Sequence, residues 1–167
     1  MDRGIPTQVA LAGSSTRPPS ADRAANPSEA RAQPGTGEAP IIFFDGVCGL
    51  CNRFIDFVIS RDRAAVFRFA PLQGETARER LPEADVRDIN TMVLWEEQGV
   101  FRKSTAAARI LIRLGGIWRL LGFAVRLMPR PLRDFGYSLV ARYRYAIFGK
   151  KETCRMPTPA ERGRFLP

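Results

Sequence analysis

The chain has no histidine and only three cysteines in 167 residues. The commonest general base is therefore missing, and so is the usual nitrogen ligand of zinc. Three cysteines are too few for a small secreted domain stapled by disulfides. They suit a reducing compartment, where a close pair would be catalytic or metal-binding. Long apolar runs are also absent. Ala106–Met128 comes nearest, but Arg109, Arg113, Arg119 and Arg126 divide it, so an ordinary membrane span of about 18–20 apolar residues is not expected.

The first 38 residues contain no aromatic side chain and are rich in Pro, Ala, Ser, Arg and Gly. Such a segment buries too little apolar surface to offset its ordering entropy, so residues 1–38 are expected to be a disordered tail. VALAG is too short for the apolar run of a secretory signal. Asp2, Asp22, Glu29 and Glu38 balance Arg3, Arg17, Arg23 and Arg31, unlike a mitochondrial presequence, which is poor in acids. The tail therefore reads as untargeted and the chain as cytoplasmic.

Charge is unevenly spread. Residues 40–99 carry seven Arg against ten acids, whereas residues 100–167 carry fifteen Lys and Arg against three. The net +9 therefore belongs to the C-terminal third and favours an anionic partner. Arginines punctuating apolar helical runs also suit an anionic membrane surface, with the protein peripheral to it, although a solvated face over a core-facing stripe is the commoner arrangement. Alternation of Arg142, Tyr143, Arg144 and Tyr145 resembles a base-stacking pattern. It comes without a recognised nucleic-acid motif, and nucleic acid is not the expected partner.

Apolar patterning predicts strands at Ile41–Asp45, Val66–Ala70 (closed by Pro71), Thr91–Trp95 and Val100–Lys103. Gly99 in the turn after Trp95 joins the last two as a hairpin. A helix follows Cys51, with Phe54, Ile55, Val58 and Ile59 at i, i+3, i+4 spacing. Thr76–Leu81 reads as a short helix ended by Pro82. Ser104 is a plausible N-cap for a helix through Leu114, and two further helices cover Ile117–Met128 and Arg130–Phe148. This order predicts a single α/β domain over residues 39–157: a thioredoxin-like sheet with flanking helices, plus a basic α-helical C-terminal extension at about 104–150. Residues 158–167 read as an irregular tail.

The stretch IIFFDGVCGLCNRFIDFVI, residues 41–59, places Cys48 and Cys51 where a strand becomes a helix. Helix N-termini stabilise anions, so an exposed Cys48 would ionise readily and attack a disulfide. One helical turn brings Cys51 close enough to resolve the mixed disulfide. Gly49 would allow a partner backbone to approach, and Leu50 would touch the substrate. Two other readings remain open. The pair could be half of a metal site, completed by a carboxylate or a second chain, since one chain offers only three sulfurs. It could also be two small apolar residues in a core. Asp45 would either cap the turn or influence proton transfer at the thiols. Cys154, beside Arg155, would either fold back to the pair or stand apart.

DGVCGLCNRFIDFV resembles the opening motif of the DCC family of predicted thiol-disulfide oxidoreductases, named for an Asp and two Cys that correspond to Asp45, Cys48 and Cys51. FAPLQ, RKSTAAARIL and ARYRYAIFGKKETCRMP are similar to further parts of that family, and the likeness spans about residues 41–157. It implies a thioredoxin-like fold and an enzyme of dithiol–disulfide exchange. No organic cofactor or metal would be required, because a redox-active Cys48–Cys51 disulfide carries both electrons. The partner would be a disulfide-containing protein or a small thiol such as glutathione. Asn90 stands where thioredoxins place a cis-proline against their cysteines, so their substrate-binding mode does not transfer directly. A strand ending in Asp-Gly is also similar to the first motif of haloacid dehalogenase-like phosphatases, but Phe43 occupies the position of their nucleophilic Asp.

Overall fold

The computed structural model describes Met1, residues 37–151 and residues 156–167. The expected tail, apart from Met1, Gly37 and Glu38, lies outside the described residues, and so do Cys154 and Arg155. Four strands form one mixed sheet: β1 (Ile41–Phe44), β2 (Arg68–Pro71), β3 (Val93–Glu96) and β4 (Gly99–Arg102), in the order β2-β1-β3-β4. β1 and β2 are parallel, with Ile41 opposite Arg68. β3 runs antiparallel to β1, with Ile41 opposite Trp95, and turns back as a tight hairpin into β4. Among the described residues six α-helices accompany them: α1 (Gly49–Arg61), α2 (Glu75–Arg80), α3 (Glu83–Arg87), α4 (Lys103–Leu114), α5 (Gly116–Leu127) and α6 (Arg130–Phe148). The chain thus has the expected mixed α/β architecture, consistent with a thioredoxin-like fold.

β1 is apolar at every position because both its faces are covered. Ile42 and Phe44 join Ile55 and Val58 of α1 and Ala106 and Ile110 of α4 on one side. Ile41 and Phe43 join Ala70, Leu72, Ala77 and Trp95 on the other. This period-2 split anchors the C-terminal end of β1, and Asp45 follows it directly.

Local chemistry explains the differences in element boundaries. β2 begins at Arg68 rather than Val66 because the Asp62 carboxylate accepts the N–H groups of Val66 and Phe67, both at 3.0 Å. Pro71 ends the strand from inside, on the sheet edge, where a missing N–H is tolerated. Pro82 is the N-cap residue of α3, a helix not expected from the pattern. α4 starts at Lys103 with no side-chain cap. The Ser104 hydroxyl instead donates to Asp134 of α6.

α5 lies close against α4 at Gly122, where an added Cβ would meet Ala108 O at 2.8 Å and Ile112 N at 2.9 Å. Much of the outer surface of α5 and α6 is apolar and exposed, including Ile117, Leu120, Leu127, Phe135 and Ile147. Among the described residues no helix is long and apolar enough to cross a membrane. The C-terminal segment packs along β2: Leu166 N–H donates to Phe69 O at 2.8 Å, and the Phe165 ring lies against Phe69 and Phe44.

Candidate active site

Asp45 leaves β1 and immediately organises the turn that carries the cysteines. Its Oδ1 accepts Val47 N–H at 3.1 Å and Gln73 Nε2 at 2.9 Å, while its backbone carbonyl accepts Cys48 N–H at 3.2 Å. Gln73, in the turn after β2, closes the cysteine turn from the other side by accepting Gly46 N–H at 3.3 Å. The side chain of Asn52, in the first turn of α1, donates to Gly46 O at 3.0 Å. With the backbone so held, Cys48 becomes the N-cap of α1, and its Sγ accepts the Cys51 N–H at 3.4 Å. An anionic sulfur accepts such a bond more strongly than a thiol does, and the helix dipole acts in the same direction.

The exposure of the two sulfurs differs from the sequence expectation. Cys48 is fully buried, whereas Cys51 is half-buried. The cause is the chain's own backbone beyond α6. Gly49 N–H donates to Gly149 O at 3.2 Å, Lys151 N–H donates to Val47 O at 2.8 Å, and Lys150 bridges Cys48. A Cβ at Gly49 would lie 2.2 Å from Phe148 O. The close backbone approach that Gly49 permits is therefore taken up by residues 148–151 of the same chain.

Cys51 lines a small cavity of about 170 Å³ together with Leu50, Phe54, Met92, Tyr137 and Val140. Leu50 thus lies on the wall beside Cys51. Asn90 does not line this cavity. It is exposed, lies in a neighbouring depression, and follows a trans peptide. Met92 represents that stretch beside Cys51. Burial, the hydrogen bond with Cys48 and the charge of Cys48 push the Cys51 thiol up to about 12, so Cys51 is protonated at neutral pH.

Sequence reasoning missed the charge behind the pair. Arg144 of α6 is buried, and its Nη2 donates to Asp45 Oδ2 at 2.8 Å, to Ile89 O at 3.0 Å and to Tyr145 OH at 2.8 Å. The Tyr145 hydroxyl also donates to Asp45 Oδ2. Asp45 thus both caps the turn and neutralises a buried guanidinium. Burial alone would lower the Arg144 pKa, but the Tyr145 hydrogen bond and the charges of Cys51 and Cys48 more than offset it and hold it above its ordinary value. Tyr137 accepts Met92 N–H at 2.9 Å and is likewise pushed up to about 12 by burial. A signal was available in the helix period: Tyr137, Ala141, Arg144 and Phe148 recur along one stripe of α6, so an arginine occupies a core-facing position.

Among the described residues, no group of three or more Cys, Asp and Glu side chains is arranged to hold a metal ion. Residues 42–150 match the DCC1-like thiol-disulfide oxidoreductase family. The chain is 42% identical over 131 residues to the uncharacterized protein YuxK of Bacillus subtilis, covering 76% of this chain and 93% of that protein. It is 37% identical over 119 residues to the DCC family protein At1g52590, chloroplastic, of Arabidopsis thaliana, covering 70% and 69% respectively. No solved structure matches.

Proposed function

The chain belongs to the DCC1-like thiol-disulfide oxidoreductase family, and from that premise we propose that it is an enzyme exchanging a dithiol for a disulfide through Cys48 and Cys51. The observation that carries this reading is the asymmetry of the two sulfurs. Cys48 Sγ receives an N–H at a helix N-terminus, while Cys51 waits as a thiol beside a cavity.

In the reducing direction the Cys48 thiolate attacks one sulfur of a substrate disulfide. A Cys48–substrate disulfide forms and the other substrate sulfur leaves as a thiolate. Cys51 then gives up its proton, attacks Cys48 Sγ and expels the second substrate sulfur as a thiol. Two electrons have moved from the pair to the substrate, and a Cys48–Cys51 disulfide remains. An external thiol, glutathione or a protein dithiol, returns the pair to its starting state. Arg144 lies behind this exchange as a fixed positive charge. A buried Cys48 requires the backbone at Gly149–Lys150 to lift before a bulky substrate can reach it. We assign the working location to the cytoplasm, where the pair would rest reduced.

Turnover of a model disulfide by purified Cys48→Ser and Cys51→Ser proteins tests the reading. Cys48→Ser should abolish turnover with an unchanged melting curve. Cys51→Ser should accumulate a mixed disulfide on Cys48, visible by mass mapping. In glutathione buffers the wild type should show a reversible two-electron midpoint within about −120 to −270 mV. Turnover unaffected by Cys48→Ser, or thiols inert until denaturation, would show that the cysteines merely pack.

A further inference from the structure

Away from the cysteines, β4 and α4 meet the corner between α5 and α6 around a cavity of about 400 Å³, lined by Arg109, Arg126, Arg130 and Arg133. Its size falls within the range of small-molecule sites. Four guanidinium groups around one opening repel one another unless an anion joins them, and acids supply little of that charge. Glu96 is shared between Arg109 and Arg113. Among the described residues Arg126 and Arg130 have no ion-pair partner, and both are exposed.

Two independent features point to a ligand. Arg133 is 8% exposed and donates through Nη2 to Thr105 Oγ1 at 2.8 Å, yet its buried Nε has no hydrogen-bond partner. A buried, incompletely bonded cation is costly, and an anion in the cavity that Arg133 lines would offset its charge. The 19-residue helix α6 also begins here, with Pro129 as N-cap, no side-chain cap and no acid in its first turn. Pro131 has no N–H, and the Leu132 and Arg133 N–H groups both donate to Pro129 O, so this end offers an anion chiefly its dipole.

We propose that this cavity binds a phosphate group, carried by a lipid headgroup or by a soluble phosphoester. Guanidinium groups contributed by three helices, Arg109 of α4, Arg126 of α5 and Arg130 and Arg133 of α6, suit an anion with three or four equivalent oxygens better than a planar carboxylate, which one fork can satisfy. Phe101 and Leu127 supply apolar wall beside the arginines, so the site takes a phosphate joined to an apolar or stackable body. Leu127 and Phe123 continue that apolar surface outward along α5, which suits the lipid source.

The full chain at about 0.15 M salt, where diffuse surface attraction is screened, would be titrated with inorganic phosphate by calorimetry. Flotation with vesicles of phosphatidylglycerol and of phosphatidylcholine would run in parallel. Saturable phosphate binding, or phosphatidylglycerol-selective flotation without it, is expected. The first outcome identifies a soluble phosphoester and the second a lipid headgroup. In either case Arg126→Glu combined with Arg130→Glu should weaken binding at least tenfold, with melting temperature and model-disulfide turnover unchanged. Arg133→Gln should weaken it too, and if that variant fails to fold the exposed pair still decides. Failure to bind either probe, or binding retained by the double variant, overturns the proposal. Cys48→Ser should bind as the wild type does, so a failed redox reading and a failed phosphate site are separable.

Discussion

Arg142 and Arg144 stand two positions apart in an alternating Arg-Tyr run and face opposite environments. Arg142 is exposed, whereas Arg144 is 3% exposed and paired with Asp45, 99 residues away. Removing one member of a buried ion pair leaves the other charge uncompensated, at a cost of about 3–5 kcal/mol. Exposed substitutions usually fall within about 0.5 kcal/mol of zero. Arg144→Met should therefore lower urea-unfolding stability several-fold more than Arg142→Met, and equal losses would contradict the buried pairing. The two cysteines and Asp45 were legible as a candidate site because their spacing and their place after an apolar strand form a local pattern. Arg144 was not, because a long-range partner leaves no local pattern. Similarly, Arg109 and Arg113 stand at i, i+4 spacing, which puts them on one face of α4, but spacing alone does not show that both reach the buried carboxylate of Glu96.

Between elements, glycine sets how closely backbones approach, and two positions give opposite predictions for function and stability. Gly49→Ala would drive a Cβ into Phe148 O, so the backbone at Gly149–Lys150 must move off the first turn of α1. Native-state alkylation of Cys48 should then quicken by about an order of magnitude, because reactivity follows access as well as ionisation. An unchanged rate would mean that this segment does not control access. Gly122→Val would instead wedge α5 away from α4, at a cost of about 1–3 kcal/mol by overpacking. Cys48 alkylation should scarcely change, since no α5 residue lines the Cys51 cavity or belongs to the backbone that covers Cys48. Elements with strong periodicity, such as α1, α4 and α6, were legible from sequence. α3 was not, since Pro82 reads equally as the end of one helix and the start of another. Cover of Cys48 by the segment after α6 was also invisible, because it rests on backbone hydrogen bonds rather than side-chain pattern.

At the scale of the molecule, one thiol and two phenols among the described residues, Cys51, Tyr137 and Tyr145, are held protonated chiefly by burial, and this couples folding to alkaline pH. The Cys51 thiol rises from an ordinary 9.0 to about 12, and Tyr137 from 10.0 to about 12. Above pH 9 the unfolded chain loses the cysteine proton while the folded chain keeps it. The unfolded state then binds fewer protons, so stability falls as pH rises. The contribution is fully present below about pH 9 and is lost progressively up to about 12, with Tyr137 adding to the slope from about pH 10. Urea midpoints of the reduced protein should therefore decline through this window. The decline should be shallower in Cys51→Ala, and likewise in the disulfide form, where Cys51 has no thiol to ionise. Tyr137→Phe should flatten only the upper part, while losing the acceptor for Met92 N–H at every pH. Parallel curves for reduced wild type, Cys51→Ala and oxidised protein would show that the Cys51 proton is not held by the fold. Cys51 would then be free to compete with Cys48 as the attacking sulfur, and the order of the exchange would rest on which sulfur carries the mixed disulfide.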